Sequence, residues 1–145
     1  MALLLLFLSF LVAPAFSDTQ FVFSGNITCK WNRPYTYYIQ VIEMDHLSDD
    51  LLSKDQLVTS FTSTIPYTIT ATDNGDGPWN YYYDILILVH HDCRGPADYS
   101  HMTLRLPTMD FWIMDGTHYK NIDIDISGTG DLNDWDAPEL LPNTE

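Results

Sequence analysis

The chain has 145 residues and a formal net charge of −14, with 20 acidic and 6 basic side chains. This excess of negative charge repels the phosphates of nucleic acids and of anionic membranes, which argues against both as partners. Cations and basic protein patches are favoured as partners, although solubility in a secreted fluid is the simpler explanation of the charge.

Residues 1–17, MALLLLFLSFLVAPAFS, predict a cleaved secretory signal peptide. Their apolar run of about a dozen residues is too short to cross a bilayer, and Ala15, Phe16 and Ser17 match the small-x-small cleavage pattern. A buried first helix is the alternative. Since no later apolar run reaches spanning length, we expect a secreted, extracellular protein without a transmembrane segment.

Alternation of apolar and polar residues dominates the rest of the chain and predicts an all-β protein. Predicted strands cover residues 21–29, 35–45, 57–61, 65–71, 81–91, 101–106, 111–114 and 118–126, and residues 49–52 are compatible with one helical turn. Clusters of Gly, Pro, Asn and Asp separate these runs. About seven or eight short strands with such turns indicate an antiparallel β-sandwich.

We expect one domain over residues 18–126, because this length supports one substantial core and not two. Residues 127–145 mix Gly, Asp, Pro and Asn without periodicity, which predicts an acidic, flexible C-terminal tail.

Cys29 and Cys93 are the two cysteines of the chain, and each ends a predicted strand. An exported protein meets an oxidising environment, so we expect a disulfide between them. Two free thiols or an intermolecular pair are the alternatives. Thiol catalysis is disfavoured, since His90 and His91 would then lie beside a bridged sulfur.

A set of motifs resembles the nematode transthyretin-like family over about residues 21–126. The motifs are SGNITC, the turn at Pro34, Glu43-Met44-Asp45, Asp49-Asp50-Leu51-Leu52, Asp76-Gly77 and His91-Asp92-Cys93. The resemblance implies a secreted transthyretin-like (prealbumin-type) β-sandwich with a role in extracellular recognition. An additional cysteine pair that is common in that family is absent here.

The resemblance does not carry an enzymatic activity to this chain. Relatives that hydrolyse hydroxyisourate end in Tyr-Arg-Gly-Ser, which completes their catalytic site. This chain ends in Leu-Pro-Asn-Thr-Glu. We therefore expect no enzyme and no catalytic residues.

Two groups of residues suggest metal sites, and each group also has a simpler structural explanation. Asp73 and Asp76, with Asp84 nearby in sequence, offer oxygen ligands to Ca²⁺, although a plain hairpin turn explains the same stretch. Zinc is the second case, at His90, His91 and Asp92. Adjacent strand residues face opposite ways, so further ligands would have to come from elsewhere, with His46, His101 and His118 the other imidazoles. A structural role, with His91 and Asp92 fixing the loop beside the disulfide, is the alternative.

Tyrosines suggest a binding surface, because exposed Tyr is a favoured recognition residue. We assign Tyr38 and Tyr82 to an exposed sheet face and Trp79 to an exposed loop, with burial in the core as the alternative for the tyrosines. Asn26, in the sequon Asn26-Ile27-Thr28, is a predicted glycosylation site.

These features together predict a non-enzymatic secreted protein that binds an extracellular protein or a cell-surface ligand, as a monomer or weak homo-oligomer. A carrier of small apolar ligands in a channel between subunits is the alternative. A hydrolase with a degraded or novel site is a third, disfavoured hypothesis.

Overall fold

The computed structural model describes residues 18–45, 49–73, 82–112 and 116–132. Over these residues the protein is all-β, with two sheets that pack against each other as a sandwich. The predicted signal peptide, Trp79 and Asp76 lie outside the described residues. Within the same described ranges, no helix is long and apolar enough to cross a membrane.

Eleven strands are present in the described residues. In chain order they are β1 Thr19–Thr28, β2 Tyr35–Glu43, β3 Asp50–Lys54, β4 Val58–Ser60, β5 Thr64–Asp73, β6 Tyr82–His91, β7 Met102–Arg105, β8 Met109–Trp112, β9 Gly116–Asn121, β10 Ile124–Asp125 and β11 Asp131–Leu132. The predicted strands coincide with these closely, but residues 118–126 form two strands, β9 and β10.

The first sheet is built around β1. β5 pairs with β1 antiparallel along its whole length, from Thr19 opposite Asp73 to Thr28 opposite Thr64. β9 and β10 pair with the other edge of β1 in parallel. The expectation of a purely antiparallel sandwich is therefore wrong at this edge. Gly116, the first residue of β9, lies opposite Thr19, the first residue of β1, so both strands start at the same end of the sandwich.

The second sheet has β6 and β2 at its centre, paired antiparallel from Tyr37 opposite His91 to Glu43 opposite Ile85. On one side of this pair, β7 and β8 follow each other along β6, and β11 adds to β7. On the other side, β3 and β4 pair with β2. All pairs in this sheet are antiparallel.

The core lies between the sheets and follows the alternation seen in the sequence. Most alternate residues of β1, β2, β5 and β6 are buried, as the burial pattern of each strand shows. The buried cluster includes Phe21, Phe23, Ile27, Ile39, Val41, Ile69, Ile85, Ile87, Val89, Ile124 and Ile126. At about 25 cal/mol per Å² of buried apolar surface, such packing is the main source of stability.

Two segments differ from the sequence-based expectation. Residues 50–54 form an edge strand, β3, where a helical turn is compatible with the sequence of 49–52. Pairing with β2 provides the hydrogen bonds that a single isolated turn lacks. Residues 127–132, expected to belong to a flexible tail, form a turn and then β11, which pairs with β7. The paired strands thus continue at least as far as Leu132.

Candidate recognition surface

The two cysteines form a disulfide, with their Cα atoms 6.0 Å apart. Cys29 follows β1 of the first sheet and Cys93 follows β6 of the second, and both side chains are fully buried. The disulfide therefore ties the two sheets together at one end of the sandwich.

His91 and Asp92 brace the loops beside this disulfide. The backbone N–H of Cys93 donates to Nδ1 of His91 at 3.2 Å, so the ring proton is on Nε2, which donates to the carbonyl oxygen of Thr129 at 2.8 Å. Asp92 accepts a hydrogen bond from the backbone N–H of Thr36 at 2.7 Å through Oδ1. Its backbone carbonyl accepts from the guanidinium of Arg33. These hydrogen bonds agree with a structural role for His91 and Asp92, which fix the loop beside the disulfide.

His90 is the centre of a second polar network, on the outer face of the second sheet. Its Nε2 donates to Oε1 of Gln40 at 2.9 Å, and its Nδ1 accepts from the hydroxyl of Thr103 at 2.8 Å. Burial, with a smaller contribution from the ammonium of Lys54, lowers the pKa of His90 to about 4. The ring is consequently neutral at physiological pH, with both nitrogens hydrogen-bonded.

Tyr38 does not lie on an exposed face as predicted, because only 4% of its surface is accessible. Its ring stacks on the imidazole of His90 with the centroids 4.4 Å apart. The ammonium of Lys54 lies 5.1 Å from the Tyr38 ring centroid. Contacts from the neighbouring strands β6 and β3 thus cover a residue that alternation alone assigns to the outside.

Other tyrosines belong to the core. Tyr37 and Tyr67 are buried, and burial raises the pKa of each to about 12. The hydroxyl of Tyr67 donates to the carbonyl oxygen of Ile122 at 2.8 Å and so links β5 to the segment between β9 and β10. Neither phenol is available for contact with a partner.

The metal hypotheses stay predictions. Asp73 ends β5 and Asp84 lies in β6, while Asp76 lies outside the described residues. Among the residues that the structure describes, no group of three or more His, Cys, Asp or Glu side chains is placed to hold a metal ion. His46 is also outside the described ranges.

Asn26 lies exposed on β1, on the outer face of the first sheet. Its backbone N–H and its side-chain amide both donate to Oδ1 of Asp123, at 2.9 and 3.0 Å. Thr28, the third residue of the sequon, lies two positions along the strand and hence on the same face. Glycosylation of Asn26 stays a prediction.

Tyr82 is exposed, and it lies next to a residue that the sequence analysis did not single out. β6 pairs with β8 so that Tyr82 is directly opposite Trp112. The two ring centroids are 4.5 Å apart, with the planes tilted by 51°. Trp112 has 60% of its surface accessible and Tyr82 has 39%. This is a pair of large aromatic side chains in contact with each other and with solvent.

Packing in the core directs Tyr82 and Trp112 to the outer face of the sheet. Phe111, the neighbour of Trp112, packs on Phe21 with ring centroids 5.3 Å apart, and Tyr83, the neighbour of Tyr82, is buried. Because consecutive strand residues face opposite sides, inward Phe111 and Tyr83 force Trp112 and Tyr82 to project from the outer face of the second sheet.

Two carboxylates lie beside the aromatic pair. Asp84 is opposite Asp110 in the same pairing of β6 and β8, two positions along from Tyr82 and Trp112. Residues two apart on a strand share a face and lie about 6.6 Å apart. We call Tyr82, Asp84, Asp110 and Trp112 together the aromatic–acidic patch. Asp110 is exposed and Asp84 is half-buried.

Sequence reasoning missed Asp110 because it placed the short strand at residues 111–114 rather than 109–112, and it did not single out Trp112, which lies in both ranges. Met109 and Phe111, which pack against the core, alternate with Asp110 and Trp112, and this alternation was the available signal. The pairing with β6, which brings the four residues of the patch together, depends on register and is not visible in one strand.

Comparison with known proteins adds one relative. The chain is 34% identical over 77 residues to Uncharacterized protein B0416.7 of Caenorhabditis elegans, a match that covers 52% of this chain and 57% of that protein. The matching segment thus spans little more than half of the relative's length. No family model matches the chain. No solved structure matches it either.

Proposed function

We propose that this protein is a secreted, non-enzymatic recognition protein that binds an extracellular or cell-surface partner through the aromatic–acidic patch. The observation that carries the proposal is the contact between Tyr82 and Trp112, two aromatic side chains held on the outer face of a disulfide-tied sandwich. Aromatic residues of this kind are enriched at the energetic centres of protein interfaces.

Secretion is supported by the disulfide together with the predicted signal peptide. Disulfides form and persist mainly in oxidising environments such as the extracellular space. The disulfide of Cys29 and Cys93 is buried and joins the two sheets, so it is part of the fold. The resemblance to nematode transthyretin-like proteins supports the same compartment.

Neither of the two central histidines, His90 and His91, is placed to act as a general base. His90 and His91 each use both ring nitrogens in hydrogen bonds within the protein, and burial lowers the pKa of both. A general base needs a free nitrogen within reach of a substrate proton. These two rings instead hold strands and loops in place.

The proposal is tested by affinity capture from extracellular fluid with the oxidised mature chain. We expect a partner to be retained by the wild type and lost by the double variant Tyr82→Ala/Trp112→Ala. Tyr119→Ala is the matched control, because Tyr119 is 76% accessible but lies on β9 in the first sheet. Retention of the same partners by the double variant would contradict the proposal.

Folding of the variants is checked separately by thermal unfolding. Since Trp112 and Tyr82 project from the sheet, we expect the double variant to unfold cooperatively. Trp112→Phe, which keeps an aromatic ring opposite Tyr82, is expected to retain most of the binding. This variant separates loss of the ring from disturbance of β8.

A further inference from the structure

Directly opposed carboxylates are the most unusual feature of the aromatic–acidic patch. Asp84 and Asp110 face each other across β6 and β8. Side chains in this position have Cβ atoms about 5 Å apart, and like charges there destabilise a sheet. A positive charge bound against Asp110 would lessen such repulsion.

The protein itself supplies little positive charge to Asp110. Arg94 is engaged elsewhere, in an ion pair with Asp98 at 3.0 Å. Arg105, which lies on the same sheet, directs its guanidinium to the sulfur of Met44 at 3.4 Å. Asp110 is thus an exposed carboxylate without an ion pair to any described Lys or Arg.

The aromatic half of the patch suits the same kind of ligand. A guanidinium or ammonium within about 6 Å of a Trp or Tyr ring is attracted by the negative face of the ring, and Trp is the strongest partner. Arginine also stacks on aromatic planes and pairs with carboxylates through two parallel N–H donors. Trp112 and Asp110 lie on one face about 6.6 Å apart, a span that one arginine side chain covers.

The charge of the whole chain favours such a partner. A net charge of −14 attracts basic surfaces over long range and raises their association rate. We propose that the aromatic–acidic patch binds an arginine-containing basic segment of an extracellular protein, with one guanidinium placed over Trp112 and against Asp110. This inference rests on the proposed function and names the chemistry of its partner.

The test is a calorimetric titration of the oxidised mature chain with a defined peptide of alternating arginine and glycine. A glutamate–glycine peptide, tetramethylammonium and calcium chloride are the comparison ligands. We expect binding of the arginine peptide alone, weakened by added salt because the contacts are ionic and exposed. Tight binding of tetramethylammonium or calcium, without binding of the arginine peptide, would overturn the assignment of a basic segment as the partner.

Two pairs of variants locate the interaction. Asp110→Asn is expected to weaken peptide binding by roughly three- to tenfold, and Trp112→Ala by a similar factor. Asp131→Asn, which removes one exposed carboxylate from β11, and Tyr119→Ala are the controls and should leave affinity within about twofold. Equal weakening by Asp110→Asn and Asp131→Asn would show attraction by net charge alone and overturn the inference.

The outcomes distinguish this inference from the proposed function. If a captured partner is lost on Tyr82→Ala/Trp112→Ala but neither Asp110→Asn nor the arginine peptide has an effect, the proposed function stands and the basic partner is wrong. Asp110→Glu, which keeps the charge, is expected to restore peptide binding. Failure of that rescue, with the variant folded, would also count against the inference.

Discussion

His91 and Thr129 are joined by a hydrogen bond of 2.8 Å, from the imidazole Nε2 to the backbone carbonyl oxygen. This bond fastens the segment that leads into β11 to the central strand β6. Its proton assignment is fixed, because Nδ1 of the same ring accepts the N–H of Cys93. Protonation of the ring would place an N–H against the N–H of Cys93. The bond pair therefore requires a neutral His91, and burial lowers its pKa in keeping with that requirement.

The first prediction is that acid destabilises the fold through the histidines. The unfolded His90 has a pKa near 6.5 and the folded one near 4, so unfolding takes up a proton between these values. The contribution of neutral His90 to the free energy of unfolding should be complete above about pH 6.5. It should decrease as the pH is lowered towards 4. His90 accounts for ~3 kcal/mol at most, and His91 acts in the same direction.

Urea unfolding at a series of pH values measures this slope. We expect it to be shallower in His90→Gln, which cannot titrate in this range. His101→Gln is the control, since His101 lies outside both hydrogen-bond networks described for His90 and His91. A wild-type stability that is flat over this pH range would contradict the prediction.

The second prediction concerns Gly25, where β1 comes close to the segment after β9. A methyl carbon at this position would overlap the carbonyl group of Ile122, 2.6 Å from its carbon atom, and Gly25 has a φ of +153°. We expect Gly25→Ala to lower the free energy of unfolding by ~1–3 kcal/mol, because the backbone on both sides has to shift.

Gly116→Ala is the matched control for this overlap. Gly116 also has a positive φ, +128°, but no described atom lies within 4 Å of the place that an alanine methyl would occupy. Chemical denaturation should therefore show the larger loss for Gly25→Ala. An equal loss in both variants would assign the effect to backbone conformation rather than to contact with Ile122.

The third prediction is that the disulfide contributes substantially to stability. It closes a loop with a sequence separation of 64, for which the chain-entropy model gives about 4 kcal/mol. We expect wild-type protein in reductant to unfold at a clearly lower denaturant concentration than oxidised protein. This comparison leaves every side chain in place, unlike Cys29→Ala/Cys93→Ala, which also removes two buried sulfurs. Coincident unfolding curves would show that the bridge does not constrain the unfolded chain.

The fourth prediction is that Asn26 carries a glycan when the chain passes through a glycosylating secretory pathway. Thr28→Ala removes the sequon but keeps the hydrogen bonds of Asn26 to Asp123, so it is a sharper variant than a change of Asn26 itself. Endoglycosidase treatment should shift the mass of the wild type and leave Thr28→Ala unchanged. Since Asn26 and the aromatic–acidic patch lie on different sheets, removal of the glycan should not alter binding. A wild-type mass equal to that of the bare polypeptide contradicts the prediction.

Much of the fold was predictable from the sequence because alternation reports which face of a strand is buried. Ile85, Ile87 and Val89, alternate residues of the predicted strand 81–91, are all buried. Strand direction was not predictable, because β9 has the same pattern whether it pairs with β1 in parallel or antiparallel. β3 was missed because its sequence, DLLSK, does not alternate between apolar and polar residues, and its pairing with β2 decides its conformation.

The candidate site was predictable only in part, since it depends on neighbours from other strands. Tyr82 was correctly placed on an exposed face by alternation. Tyr38 has the same pattern, but His90 and Lys54 cover its ring. Trp112 joins Tyr82 only through the register of β6 and β8, which no single-strand pattern specifies.

The most direct test of the recognition surface is hydroxyl-radical footprinting of the protein with and without its captured partner. Oxidation is read at Trp112 and Tyr82 by mass spectrometry, with Tyr119 as the internal reference on the opposite sheet. Our account predicts that the partner lowers oxidation of Trp112 and Tyr82 several-fold and leaves Tyr119 unchanged. Unchanged oxidation of Trp112 in the complex would contradict it.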